Sequence, residues 1–246
     1  MHVTITGLQC GSPVLLLHGG GVAGWMWNSL RQRLEAQHAV IVPDLPGHGR
    51  SADQPHVSHA ETVTGLANLL RRWAPEHPAA VVGFSLGAQL TIELASSHPE
   101  LINRVVVVSA QARPIPLASL TLHILGGTTP LARRRWFAKL QARELDIPPG
   151  LLGDYISGSV GMTRNTLVAA VGSNLRFVPP TGWSSFPGRA LVMVGRRERR
   201  LLRDSAVDIH QALPSELETV ESCGHGIPLQ RPDWFDSRVS AWLSSA

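Results

Sequence analysis

The most informative segment of the chain is Ala79-Ala80-Val81-Val82-Gly83-Phe84-Ser85-Leu86-Gly87-Ala88-Gln89-Leu90. Four apolar residues, as in a buried strand, lead into a turn, and a helical pattern follows with leucines at 86, 90 and 94. Glycines on both sides of Ser85 remove side chains that would collide with the neighbouring strand and helix at a very sharp turn. The pattern predicts a buried strand, a strained turn that presents Ser85, and a buried helix.

Short apolar runs alternate with longer helical patterns along the rest of the chain. The predicted strands are 3–6, 13–17, 39–42, 79–84, 104–109, 189–195 and 216–220, and the predicted helices are 27–36, 59–73, 86–97, 203–212 and 232–243. The run at 104–108 is apolar on both faces, as in a parallel sheet that helices cover on both sides. The alternation predicts an α/β fold with a doubly wound, mostly parallel sheet.

One stretch interrupts this alternation. Between residues 113 and 187 we find no convincing strand pattern, whereas helical patterns occur at 117–125, 131–145, 151–157 and 165–175. We therefore predict a core made of residues 1–112 and 188–246, and a helical cap of residues 113–187 inserted after the sixth strand. Apolar cap residues are candidates for contact with an apolar part of a substrate, with packing inside the cap as the alternative; they include Leu117, Leu120, Leu122, Ile124, Trp136, Phe137 and Trp183.

The composition is that of a globular protein with a large core, since 43% of the 246 residues are hydrophobic and 16% are charged. The formal net charge is +4, but no nucleic-acid-reading motif accompanies the arginine clusters, so nucleic acid is not an expected partner. No secretory signal and no run long enough for a membrane span is visible. Two cysteines, Cys10 and Cys223, do not make a disulfide framework. We expect a cytoplasmic protein.

A second glycine-rich segment, Leu15-Leu16-Leu17-His18-Gly19-Gly20-Gly21, predicts a strand that runs into a loop. Acyl transfer needs two amide N–H groups directed at the developing oxyanion. The amide of Leu86, directly after Ser85, and the amide of Gly20 are the candidates. A phosphate-binding loop is the alternative, but the Gly-Lys-Ser/Thr of such loops is absent. We expect His18 to shape the loop by hydrogen bonding.

A candidate general base lies between the last predicted strand and the last predicted helix, in Ser222-Cys223-Gly224-His225-Gly226. A general base must reach the serine hydroxyl, which a loop at the carboxyl edge of the sheet allows. His225 has that position and is flanked by glycines, so it is the candidate among 11 histidines. We interpret Cys223 as a small apolar filler rather than a reactive thiol.

These segments, together with Asp44-Leu45-Pro46-Gly47-His48-Gly49-Arg50-Ser51, resemble the motifs of the α/β-hydrolase superfamily and occur in that family's order. The resemblance covers the predicted core, and residues 113–187 match the place where the family inserts its cap. It implies the family's fold and the capped serine hydrolase branch, which needs no metal or organic cofactor. Because the family uses the 44–51 stretch as a structural turn, we assign Asp44 and His48 no catalytic role.

The acid of the implied Ser–His–acid triad is the member that the sequence indicates least clearly. The family usually places an acid shortly after the strand that follows the cap, and here that stretch reads Val194-Gly195-Arg196-Arg197-Glu198-Arg199-Arg200. Glu198 occupies the matching position, and glutamate is an accepted variant of the acid. We expect the four flanking arginines to hold its carboxylate ionised. Asp204 is the alternative acid, and an ordinary surface role for Glu198 is the other reading.

The sequence therefore predicts a serine hydrolase in which Ser85 attacks a carbonyl, His225 takes its proton and Glu198 orients the imidazole. The predicted substrate is a small molecule with an ester-like group: a carboxylic ester, a lactone or a thioester. A carbon–carbon bond hydrolase, a lyase or cofactor-free oxygenase that uses the same residues, and a slow-turnover ligand receptor are the alternatives, because a fold does not determine a reaction. The sequence predicts neither the substrate's identity nor the oligomeric state.

Overall fold

The computed structural model describes residues 1–8, 11–116, 135–144, 147–161 and 163–245. Within them a single seven-stranded sheet has the order β1-β3-β2-β4-β5-β6-β7. Strand β1 pairs antiparallel with β3, and all the other neighbours are parallel. The strands are β1 (Val3–Gly7), β2 (Ser12–Leu17), β3 (His38–Pro43), β4 (Ala79–Phe84), β5 (Ile102–Val108), β6 (Arg189–Gly195) and β7 (Glu216–Val220). The predicted doubly wound, mostly parallel sheet is confirmed.

Helices cover both faces of the sheet. They are α1 (Asn28–Leu34), α2 (His59–Trp73), α3 (Leu86–Ser97), α4 (Arg135–Glu144), α5 (Leu152–Gly161), α6 (Arg164–Arg176), α7 (Arg200–Ala212), α8 (Ile227–Gln230) and α9 (Pro232–Ser244). Helix α2 is capped by Ser58, whose Oγ accepts a hydrogen bond of 3.1 Å from the Glu61 amide. None of the helices in the described residues combines the length and the apolar character that a membrane span requires.

The strands separate two apolar clusters, because successive side chains of a strand point to opposite faces. Leu15 and Leu17 of β2 belong to the cluster beneath α2, α3 and α7, whereas Val14 and Leu16 belong to the cluster beneath α1 and α9. All four side chains are fully buried. The apolar runs in the sequence therefore reflect burial on both faces of one sheet.

The sheet has a switch point between its central strands β2 and β4. The chain leaves β2 toward β3 on one side, and it leaves β4 toward β5 on the other side. In open α/β sheets, ligands bind in the crevice that such a switch opens at the carboxyl ends of the strands. The glycine-rich loop after β2 and Ser85 after β4 both lie at this crevice.

The segment 113–187 follows β5, the fifth of the described strands in chain order, rather than a sixth. The described part of this segment contains α4, α5 and α6, and two of these helices approach loops at the carboxyl end of the sheet. A Cβ atom added to Gly47 would overlap Thr166 of α6, and one added to Gly21 would lie 3.9 Å from the Tyr155 hydroxyl of α5. The predicted helix at 117–125 and its apolar residues lie outside the described ranges, as does the side chain of Phe137.

Trp183 packs in the core, so of the two roles expected for it, contact with a substrate and packing, the structure supports packing. The side chain is 1% exposed, its ring stacks on Phe186 at 6.1 Å between centroids, and its Nε1–H donates to the Ile209 carbonyl at 3.1 Å. Together with Phe177, these residues join the cluster beneath α3. The last part of the predicted cap segment is therefore built into the core. Trp136 on α4, by contrast, is 57% exposed.

Candidate active site

Ser85 forms the turn between β4 and α3 in a conformation that side chains rarely adopt, with φ 53° and ψ −111°. The turn is possible because glycines flank it. A Cβ atom on Gly83 would overlap the Gly87 carbonyl, and a Cβ atom on Gly87 would overlap the Leu17 carbonyl of β2. The Ser85 amide donates to the Val108 carbonyl at 2.9 Å, so the neighbouring strand holds the strained residue in place.

His225 lies on the loop between β7 and α8, and its Nε2 is 3.0 Å from Ser85 Oγ. The loop is held by the side chain of Gln230, whose Oε1 accepts a hydrogen bond of 2.8 Å from the Gly224 amide. The ring of Phe84 lies against the imidazole at 5.1 Å between centroids. The structure thus places the predicted base within hydrogen-bond distance of the predicted nucleophile.

The side chain of Glu198 is fully buried, and its Oε2 lies 3.1 Å from Nδ1 of His225. Its other oxygen, Oε1, accepts hydrogen bonds from the Ser109 hydroxyl at 2.6 Å and from the Gly195 amide at 3.0 Å. Since a carboxylate can only accept, the imidazole must donate its Nδ1–H to Glu198. Its Nε2 is then free to accept the serine proton.

None of the four flanking arginines forms an ion pair with Glu198 in the described structure. In the described part of the chain, its one ion pair within 4.0 Å is with His225. The Glu198 side chain turns into the protein, whereas all four arginines beside it are exposed. Its Oε1 instead accepts from a neutral hydroxyl and a neutral amide, while its Oε2 accepts from His225.

Asp204, the alternative acid, lies on α7 and is engaged elsewhere. It accepts a hydrogen bond of 2.9 Å from Arg113, which also binds Asp208 through two nitrogens, and it lies 3.5 Å from Arg200. These contacts tie the segment after β5 to α7. The structure therefore brings together Ser85, His225 and Glu198 and leaves Asp204 out.

Ser109 is the site residue that sequence reasoning missed. It directly follows β5 with φ 57°, and its hydroxyl, which donates to Glu198, also lies 3.2 Å from the His225 carbonyl oxygen. The sequence feature that could have indicated Ser109 is its position at the carboxyl end of a strand next to β4. Its pairing with a carboxylate 89 residues further along the chain depends on the order of the strands in the sheet.

The two candidate oxyanion donors lie on neighbouring backbone segments. Leu86 is the first residue of α3, where amide N–H groups have no partner within the helix. A Cβ atom added to Gly20 would lie 3.9 Å from Leu86 Cδ2, so the two backbone segments are close neighbours. Both amides therefore belong to the segments that border Ser85.

His18 shapes the glycine-rich loop through both ring nitrogens, as expected. Its Nδ1 bonds the Gly19 carbonyl at 2.8 Å, and its Nε2 accepts from the Leu45 amide at 2.9 Å. Only the neutral ring with its proton on Nδ1 can make both bonds. Burial, followed by the nearby His48, lowers the pKa of His18 to about 3, so the ring stays neutral.

Asp44 closes the turn after β3 and has no contact with Ser85. Its carboxylate accepts hydrogen bonds from the Gly24 amide at 2.8 Å and from the backbone and side chain of Arg50, both at 3.0 Å. Burial disfavours the charged carboxylate, but these bonds outweigh that effect and hold the pKa of Asp44 below its usual range. The contacts agree with a structural role.

Cys223 lies two residues before His225 and is fully buried. Burial raises the pKa of its thiol and disfavours the reactive thiolate, which agrees with a filler role. Cys10 lies outside the described residues. Among the residues that the structure describes, no three His, Cys, Asp or Glu side chains are grouped so as to hold a metal ion.

A cavity of about 380 Å³ opens beside Ser85 and His225, a volume suited to a small molecule. Apart from these two residues and Glu198, its lining comprises Ser109, Gln111, Asn174, Arg197, Arg199, Leu202, Gly224 and Gln230. At its edge, Asn174 of α6 donates to Gln89 of α3 at 3.1 Å, and Gln89 donates to the Gln111 carbonyl at 2.9 Å. The segment 113–187 thus contributes directly to the wall of the cavity.

Comparison with known proteins agrees with this architecture. The model of the alpha/beta hydrolase family matches residues 14–238. The chain is 34% identical over 103 residues to the pimeloyl-[acyl-carrier protein] methyl ester esterase of Vibrio campbellii, a match that covers 42% of this chain and 39% of that protein. The matches thus span about two-fifths or less of the length of the first curated relatives.

Solved structures share the fold over nearly the whole chain. An esterase from Exiguobacterium antarcticum superposes with a TM-score of 0.85 at 19% identity, covering 99% of this chain and 95% of that one. An enol-lactonase from Burkholderia xenovorans superposes with a TM-score of 0.84 at 18% identity, covering 99% and 96%. At such identities the likeness is one of fold.

Proposed function

The chain belongs to the alpha/beta hydrolase family, and from this premise we propose that it is a serine hydrolase that cleaves an ester-like bond in a small molecule. One observation carries the proposal. Ser85 Oγ, the His225 imidazole and the Glu198 carboxylate form a continuous hydrogen-bonded series of 3.0 and 3.1 Å at the switch point of the sheet. This is the arrangement that activates a serine hydroxyl for attack on a carbonyl.

In the proposed reaction, Ser85 Oγ attacks the carbonyl carbon while Nε2 of His225 takes the hydroxyl proton. The negative charge that develops on the carbonyl oxygen is stabilised by the amides of Leu86 and Gly20. The imidazolium, stabilised by Glu198, then gives its proton to the leaving group, and an acyl-enzyme remains. Water attacks this ester with His225 as base, and it releases the acid and regenerates Ser85.

We also propose that α4, α5 and α6 act as the cap over this site. Tyr155 of α5 near Gly21 and Thr166 of α6 at Gly47 support this role, since both contacts are with loops at the carboxyl end of the sheet. Asn174 of α6 lines the cavity itself. A substrate bound in the cavity would then be enclosed between cap and core.

The proposed activity is tested with p-nitrophenyl esters of acyl chains from two to ten carbons. We expect hydrolysis with a kcat/KM that depends on acyl chain length, because the cavity has a limited volume of about 380 Å³. We also expect a burst of p-nitrophenol when the acyl-enzyme accumulates. Matched thioesters and lactones then separate the three ester-like classes. Absence of both turnover and acyl-enzyme would contradict the proposal, and tight binding of a ligand without turnover would favour a receptor.

Loss of the Ser109 hydroxyl is expected to slow the reaction although Ser109 does not touch the substrate's carbonyl. Hydrogen bonds to charged groups contribute about 1.5–3 kcal/mol, so Ser109→Ala should lower kcat by about tenfold or more, with KM little changed. Ser109→Gly should lower kcat by the same factor, although glycine is better suited to φ 57°. A loss common to both variants identifies the hydroxyl as the positioning group.

The matched control for Ser109 is Ser222. It also has a positive φ, of 63°, but it is exposed, and its hydroxyl forms no hydrogen bond with the residues that the structure describes. Ser222→Gly should therefore leave kcat within about twofold. An unchanged kcat in both Ser109 variants would show that Glu198 needs no support from this hydroxyl.

A further inference from the structure

Arg197 and Arg199 line the Ser85 cavity, and their guanidinium groups have no counterion among the described residues. We propose that Arg197 and Arg199 bind an anionic oxygen group of the substrate, a carboxylate or a phosphate, at a distance from the bond that is cleaved. The inference rests on the proposed function and narrows its substrate class to ester-like compounds that carry a negative charge.

The first support is the position of the two arginines. They flank Glu198 on the loop after β6, and both are exposed and line the same cavity as Ser85. The loop is fixed on both sides: the Arg197 amide donates to the Cys223 carbonyl at 2.8 Å, and the Arg199 carbonyl accepts from the Leu202 amide at 3.0 Å. The backbone that carries the two arginine side chains is therefore held in place by hydrogen bonds.

The second support is the contrast with three arginines near the site whose side chains have protein partners; among the described residues Arg196 has none either, but it does not line the Ser85 cavity. Arg113 binds Asp204 and Asp208, Arg200 lies 3.5 Å from Asp204, and Arg203 donates to a backbone carbonyl at 3.1 Å. Neither Arg197 nor Arg199 has an ion pair or side-chain hydrogen bond in the described structure. Their positive charges are thus left for a ligand.

The third support is the remainder of the cavity lining. Glu198 is the one carboxylate in it, and its oxygens are already engaged by His225, Ser109 and the Gly195 amide. The other side chains are amides, hydroxyls, one imidazole and one leucine. Apart from Glu198, no acidic group of the described lining opposes an incoming anion. Guanidinium groups match carboxylate and phosphate oxygens through paired hydrogen bonds. Two unpaired positive charges in a cleft also raise the local concentration of anions.

The test compares two p-nitrophenyl esters of equal acyl length, the hexanoate and the adipate monoester, which differ by a terminal carboxylate. A third ester with a terminal phosphate separates the two anions. We expect the wild-type enzyme to prefer a charged ester. The double variant Arg197→Ala/Arg199→Ala should lose about tenfold to a hundredfold in kcat/KM on that ester, mainly through KM. On the hexanoate it should stay within about threefold.

Arg200→Ala is the matched control, because Arg200 follows the same loop but does not line the Ser85 cavity. It should leave the preference unchanged, whereas 1 M salt should weaken the preference by screening the charges. Equal losses of the double variant on charged and neutral esters, or no loss on the charged ones, would overturn the inference.

A binding measurement separates this inference from the proposed activity. Adipate and inorganic phosphate are titrated calorimetrically into the wild-type protein and the double variant, without any turnover. At least one anion should bind the wild-type protein and lose at least tenfold in affinity in the double variant, even if no ester is hydrolysed. Absence of ester hydrolysis with such binding contradicts the proposed function alone, and anion binding that the double variant retains contradicts the inference alone.

Discussion

Replacing Ser85 by alanine is expected to lower kcat on every accepted ester by about 10⁶, the size of loss seen when a serine hydrolase loses its nucleophile. The same substitution should abolish covalent labelling by a fluorophosphonate probe, which the wild-type protein should take up once per chain. The reason is that Ser85 presents its hydroxyl at a strained turn, 3.0 Å from the base. Intact-mass spectrometry and steady-state kinetics measure both effects.

The Ser85 variants also have a clear stability expectation. Ser85→Ala keeps the Cβ atom and the φ of 53°, so its free energy of unfolding should stay close to that of the wild-type protein. Ser85→Gly relieves the strain and should be more stable by about 1 kcal/mol, although it is equally inactive. Ser109→Ala is the control that keeps the labelling site. Labelling of the Ser85→Ala variant would show that another residue is the nucleophile.

Glu198→Gln is expected to lower kcat by about 10³ to 10⁴ while the fold is retained. The reason lies in the donors around the carboxylate. Because Oε1 accepts from both Ser109 and the Gly195 amide, the glutamine oxygen should stay there and its NH₂ group should face His225. The imidazole must then accept at Nδ1 and hold its proton on Nε2, where it can no longer take the proton of Ser85.

Asp204→Asn is the matched control for Glu198. It weakens the ion pairs with Arg113 and Arg200, which are partly exposed, and should cost less than about tenfold in kcat. Steady-state kinetics, together with thermal unfolding to verify the fold, distinguish the two variants. The assignment of Glu198 fails if Asp204→Asn is the inactive variant and Glu198→Gln retains its rate.

Local features of this protein could be predicted from the sequence because their causes lie within a few residues. An apolar run such as β4 predicts burial on both faces of a sheet, and its bounds agree with the prediction. Gly83 and Gly87 predict a turn too tight for side chains, and the structure shows the overlaps they avoid. The order of the motifs along the chain then indicated a site at the carboxyl edge with Ser85 and His225.

Only the tertiary structure shows which groups donate hydrogen bonds to the Glu198 carboxylate. The sequence suggested its neighbouring arginines, but side chains next to one another on a loop can point in opposite directions, and none of these arginines forms an ion pair with Glu198 in the described structure. The donors are instead Ser109, brought close because β5 lies beside β6, and the Gly195 amide at the end of β6. The core position of Trp183 is likewise evident only from the tertiary structure, in which its segment packs beneath α3. Neighbouring residues in the sequence determine the local conformation and the burial pattern. Hydrogen-bond partners far apart in the chain are determined by the order of the strands within the sheet.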